Sequence, residues 1–151
     1  MVSKLFRVVI VFSILLAGCR NSDRSNEKTT NKNAFGDDFA FLKERDTGLV
    51  VLSAEKGNAR VIISPKYQGK VFTSTAEGAG GKSFGWINYS TFDKEADPHM
   101  NAYGGEDRLW LGPEGGPFSL YFAPGKEMVF ENWHTPPPID VEAWELVSSS
   151  P

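Results

Sequence analysis

The chain has 151 residues, 40% hydrophobic and 23% charged, with 16 basic and 19 acidic side chains and a formal net charge of −3. That length allows one domain. The mildly acidic balance, without a basic cluster, argues against nucleic acid as a partner, and a single cysteine excludes an internal disulfide framework or a thiolate metal cluster.

The first eighteen residues read as a signal peptide. Lys4 and Arg7 supply the positive start, and Val8 to Ala17 is an apolar run of about ten residues, too short to span a bilayer. The run ends in Leu16-Ala17-Gly18-Cys19, which resembles the lipobox of bacterial lipoproteins. The resemblance implies cleavage before Cys19, acylation of its thiol, and a protein held on a membrane without spanning it. Each buried methylene contributes about 0.8 kcal/mol, so one chain anchors marginally and stable attachment takes more than one. Arg20, where some bacteria use aspartate to retain lipoproteins in the inner membrane, points by the same resemblance to the outer membrane. Loss of the leader with Lys4 and Arg7 leaves 14 basic against 19 acidic residues, a formal charge of −5.

Residues 19–33 comprise the lipidated cysteine and a tether. Arg20 to Asn33 contains no apolar side chain and has nothing to bury. A random coil of that length holds a domain on average roughly 20 Å from the lipid.

The domain is expected from residue 34 to residue 151. Phe35 to Arg45 predicts a short helix, with Asp37 or Asp38 as its cap, Lys43 and Arg45 at its negative end, and Gly48 beyond its stop. Phe39 and Leu42 would share its buried face. From Gly48 the period changes. Leu49 to Ala54, Arg60 to Ser64 and Lys70 to Thr75 are short β-prone runs separated by turn-like segments, and they predict an antiparallel meander. Val61-Ile62-Ile63 is apolar on both faces, which predicts cover on both sides. Further strands are expected at Phe84 to Tyr89, Leu109 to Leu111, Pro117 to Phe122, Glu127 to Glu131 and Ala143 to Val147. Pro136-Pro137-Pro138 has no amides for a ladder and belongs in a loop or at an edge. The fold class is mainly β: an antiparallel β-sandwich, or the front part of a larger one, with one short N-terminal helix.

The order of these features, together with Gly85-Trp86-Ile87-Asn88 and Gly104-Gly105-Glu106-Asp107-Arg108-Leu109-Trp110-Leu111-Gly112-Pro113-Glu114-Gly115-Gly116, resembles a family of bacterial lipoproteins carrying a domain of unknown function. The sequence of that family looks like the N-terminal part of the galactose mutarotase-like β-supersandwich. The resemblance implies a partial supersandwich and no established activity. In true mutarotases a histidine and a later glutamate act on the two sides of the sugar. No residue of this chain matches that glutamate, so no catalytic residue is assigned.

Within the Gly104–Gly116 stretch, Glu106, Asp107 and Arg108 are suited to hydrogen-bonding sugar hydroxyls, with Trp110 or Trp133 as an apolar platform for the ring. The competing reading pairs Arg108 with a carboxylate, braces a turn and packs Trp110 in the core. Neighbouring residues on a strand face opposite ways, so all three ionisable groups cannot line one pocket. Glu114 reads as an exposed turn carboxylate and a further ligand candidate. His99 and His134, with Asp97 and Glu106, offer metal-ligand chemistry, but 35 residues separate the histidines and no local ligand spacing results. No cofactor and no metal are expected. Phe118, Leu120 and Phe122 are expected to face the core. The function expected is an envelope lipoprotein that contacts carbohydrate. Its rivals are an epimerase-like enzyme complete only with a second half or a partner, and a purely structural β module.

Overall fold

The computed structural model describes residues 34–149. The signal peptide, Cys19 and the tether lie outside the described residues. Helix α1 spans Phe35–Arg45. It begins before the aspartates expected to cap it: Ala34 is the N-cap and provides no side-chain hydrogen bond. The first amides, which have no partner inside any helix, donate instead to a loop. Phe35 N bonds Gly81 O at 3.0 Å and Gly36 N bonds Ala79 O at 2.8 Å. Asp37 and Asp38 therefore sit within the first turn, where negative charge suits the helix dipole. Asp38 is buried and accepts hydrogen bonds from the Ser83 and Tyr89 hydroxyls. At the other end the Arg45 guanidinium covers the Phe41 ring at 3.7 Å. Asp46 turns the chain into the sheet, accepting from Gly48 N at 2.8 Å and from Ser64 Oγ at 2.5 Å.

Three strands follow: β1 at Val50–Ser53, β2 at Arg60–Ser64 and β3 at Lys70–Thr75. They form one antiparallel sheet in the order β1-β2-β3. Val50 faces Ile63 across β1 and β2, and Arg60 faces Thr75 across β2 and β3, with a bulge at Ile62/Ile63. The turn into β3 places Gln68 at φ 57°, a region uncommon for a residue with a side chain. Its Nε2 is tied to Glu142 O at 2.8 Å, which anchors the turn to the last part of the chain. The outer side of β1 has no partner strand among the described residues. Val51 and Leu52 on it are exposed.

The core lies between α1 and one face of the sheet. Phe35, Leu42, Ile62, Phe72 and Ile87 are buried there, and Phe39, Phe41, Leu49, Tyr67, Phe92 and Tyr103 pack around them. The rings meet edge-on or tilted, with Tyr67 at 5.3 Å from Phe72 and 4.7 Å from Tyr103, the arrangement that ring quadrupoles favour. Ile62 is fully buried, whereas Val61 and Ile63 are half-buried, so β2 is covered more completely on one face than on the other.

Beyond Thr75 the structure departs from expectation. In place of the five further strands, the described residues contain isolated bridges such as Ile87 to Gly104 and Phe122 to Trp133. Short 3₁₀ turns occupy Tyr89–Thr91, Phe130–Asn132 and Pro137–Ile139. Segment Pro117 to Phe122 also shows the opposite face from the one predicted. Tyr121 is buried, while Phe118 and Leu120 are exposed at 82% and 63%. The reason is that Tyr121 finds two partners: its ring stacks on Trp133 at 5.2 Å and its hydroxyl donates to Leu111 O at 2.7 Å.

Candidate functional site

The loop Gly104–Arg108 is laid flat on two neighbours. Gly105 N donates to Trp86 O at 2.7 Å and Glu106 N to Val71 O at 2.8 Å, while Val71 N donates to Asp107 O at 3.0 Å. Gly104 and Gly105 have φ of 80° and 113°. A β-carbon at Gly104 would stand 2.2 Å from Trp86 O, and one at Gly105 would stand 2.9 Å from Val71 O. Only glycine has both the dihedral freedom and the clearance for this path. The glycine pair is therefore explained by the seating of the loop.

The ionisable residues then diverge. Glu106 reaches over β3, where its carboxylate accepts from Ser74 N at 2.5 Å and from Ser74 Oγ at 3.0 Å. Asp107 is exposed and accepts from Arg108 N at 2.8 Å. Arg108 points the other way. Its Nη2 donates to Ile139 O at 2.9 Å and lies 3.7 Å from Asp140 Oδ1, and its guanidinium covers the Trp110 ring at 4.3 Å. Burial lowers the Arg108 pKa from its ordinary value, and Asp140 works against that shift. Asp140 is itself buried and also holds Asn101. Arg108 thus braces the Pro137–Asp140 turn while its stem borders the loop.

Trp110, Glu114 and Trp133 belong to a different constellation. Trp110 Nε1 donates to Glu114 Oε1 at 2.6 Å, and the indole leans on Tyr121 at 5.4 Å. Tyr121 stacks on Trp133, which is stacked with Phe130 at 6.3 Å. Phe130 stacks on His99 at 4.5 Å, and His99 on His134 at 4.8 Å. The two histidines, distant in sequence, are thus adjacent in space. Each Nδ1 is engaged with a backbone carbonyl: His99 with Trp133 O at 2.6 Å and His134 with Pro98 O at 2.7 Å. Asp97 accepts from the amides of His99 and Met100, which hold its carboxyl below the usual range. Among the described residues no group of three or more His, Cys, Asp or Glu side chains is placed to hold a metal ion.

Lys70 and Gly104 to Arg108 together line an open recess of about 230 Å³. Three residues around it escaped the sequence reading: Lys70, Trp86 and Asp140. Lys70, at the start of β3, runs its stem beneath Gly105, whose added β-carbon would meet Lys70 Cγ and Cδ at 3.2 Å. The one legible hint was its period-two register with the core residue Phe72. Trp86 lies against Gly104 and is 66% exposed, more so than Trp110 or Trp133. A larger cleft of about 750 Å³ lies elsewhere, between β1 and residues 144–149, with Val50, Val51, Leu52, Trp144 and Leu146 in a chiefly apolar wall. Its charged lining is Glu55 and Glu145, of one sign, whereas groups of both signs line the smaller recess, which is the better candidate for polar recognition.

A small antiparallel sheet with a polar recess suits binding modules and enzymes alike. The chain belongs to a family of unknown function, DUF6786, which it matches over residues 33–151. No curated protein and no solved structure matches it.

Proposed function

We propose that the chain is a lipoprotein of the bacterial cell envelope, anchored in the outer membrane through Cys19, whose mutarotase-like β domain binds carbohydrate at the Gly104–Arg108 recess. The observation that carries the reading is the meeting of two surfaces. Lys70 and the loop Gly104–Arg108 line an open recess, and the exposed indole of Trp86 lies against Gly104. Saccharide sites combine these elements, a flat apolar face and a few placed polar groups. Trp86 takes the platform role first considered for Trp110 and Trp133, because one face of Trp133 is covered by Tyr121 and Trp110 is covered by Arg108. Binding is favoured over turnover because Glu106 is already held by Ser74 and Arg108 by the 139–140 turn. The address rests on Lys4, Arg7 and the Leu16-Ala17-Gly18-Cys19 ending. A purely structural module is the second reading, and the bracing contacts of Arg108 favour it.

Glycan-array binding by the full-length chain, kept in a non-glycosidic detergent, separates the two readings. A saccharide signal that Trp86→Ala weakens about tenfold, a loss of about 1.4 kcal/mol, is the expected outcome. An intact fold silent on every sugar leaves the structural reading. Fractionation of cells expressing Cys19→Ala tests the anchor, and that variant is expected to leave the membrane pellet.

A further inference from the structure

Lys70 is 4% exposed, yet its amine has no hydrogen bond and no carboxylate within 4.0 Å among the described residues. The Lys70 amine is nevertheless not one of the buried, unpartnered polar atoms, so its stem is covered while its tip reaches solvent. The charged groups around it come from two elements. The loop presents Glu106, Asp107 and Arg108, and the turn after Pro138 presents Asp140. Each carboxylate is engaged elsewhere: Glu106 with Ser74, Asp107 with the Arg108 amide, Asp140 with Asn101 and Arg108. Lys70 lines the recess together with this loop.

We propose that the recess is an oxyanion subsite, in which Lys70 supplies the counter-charge to a carboxylate or sulfate substituent of an acidic saccharide. This rests on the carbohydrate reading above and narrows it to one class of sugar. Size supports the division of labour. Pockets that enclose a whole small ligand run about 300–1,000 Å³, so about 230 Å³ suits a substituent, with the sugar ring outside against Trp86. Burial, with Arg108 nearby, pushes the amine down to about 8, while the Asp140 and Asp107 carboxylates work against that shift. It therefore remains mostly charged at neutral pH and is available to an anion.

Isothermal titration of the full-length chain with galacturonate, galactose 6-sulfate and galactose reads the proposal. At pH 7 at least one acidic sugar is expected to bind tenfold or more tightly than galactose, and the better of the two acids identifies the substituent as carboxylate or sulfate. Raising the pH to 9 deprotonates Lys70 and is expected to weaken the acidic sugar about tenfold, because only the ammonium form binds it. Lys70→Met is expected to abolish the preference for acid over neutral sugar, and the pH series carries the test if that variant does not fold. Equal affinity for all three sugars overturns the anion subsite and leaves carbohydrate binding standing. Silence from all three across this pH range also overturns it, and the glycan array decides separately whether other sugars bind.

Discussion

Replacing Asp140 by alanine is expected to destabilise the domain by about 3–5 kcal/mol, because it removes the acceptor of a buried backbone amide, one acceptor of a buried side chain and the counter-charge of a half-buried arginine. The carboxylate is 5% exposed. It accepts from Asn101 N at 3.0 Å and Asn101 Nδ2 at 2.8 Å, and it faces Arg108 at 3.7 Å. Alanine would leave the buried amide of Asn101 without an acceptor, its Nδ2 with Asp97 O alone, and Arg108 without its counter-charge. An unsatisfied buried donor alone costs about 1–3 kcal/mol. Asp140→Asn keeps the shape and one acceptor oxygen, so it should recover part of the loss. Urea denaturation measures both variants. A midpoint for Asp140→Ala within the scatter of surface substitutions would mean that the 101–140 contact is not a structural tie.

Phe72→Ala is expected to cost a similar amount, about 3–5 kcal/mol, for a different reason. Phe72 is fully buried at the centre of the cluster, with Tyr67 at 5.3 Å and Phe92 at 5.8 Å from its ring. Its removal takes away transfer free energy and leaves a cavity that the flanking rings, packed against one another, can only partly fill. Leu52→Ala provides the contrast. Leu52 is half-exposed on the outer strand, and surface substitutions usually stay within about 0.5 kcal/mol. Thermal or urea unfolding of the two variants should differ several-fold in effect. Equal losses would place the stabilising core elsewhere than between α1 and the sheet.

The front of the domain was legible because its signals are local. Val, Ile and Thr at period two, broken by Glu55-Lys56-Gly57-Asn58 and Pro65 to Gly69, marked β2 and β3 at their observed bounds and β1 to within one residue at each end. Helix α1 was also readable, but the reason for its start was not. The helix dipole explains the aspartates, whereas the true starting point is fixed by carbonyls of Ala79 and Gly81, far along the chain. Past Thr75 the same alternation misled. Ser119 and Tyr121 looked like the outer face of a strand, until a ring partner and a carbonyl drew Tyr121 inward. Contacts of that kind leave no period in the sequence.

Less of the candidate site was legible. The glycine pair before Glu106-Asp107-Arg108 marked a tight path for the backbone, but alternation along a strand would set Glu106 and Arg108, two residues apart, on one face, and the loop sends them opposite ways instead. Trp110, Glu114 and Trp133 were grouped with that loop by proximity in sequence or by type, yet they belong to the ring array around Tyr121. Lys70 and Asp140 come from strand β3 and from the turn after Pro138, one well before the loop in chain order and the other well after it. Only the folded arrangement brings them to Arg108, and nothing local links them.

The outermost strand carries a practical consequence. Leu49 to Ala54 includes no charge and no proline, and its row of amides and carbonyls, without a partner strand among the described residues, is of the kind that nucleates strand addition between molecules. Purified material will therefore have a crowding threshold, above which chains zip together at that rim and titrations report tangled rather than dispersed protein. Dilute samples, checked by light scattering, are the proper starting point for every measurement on this molecule.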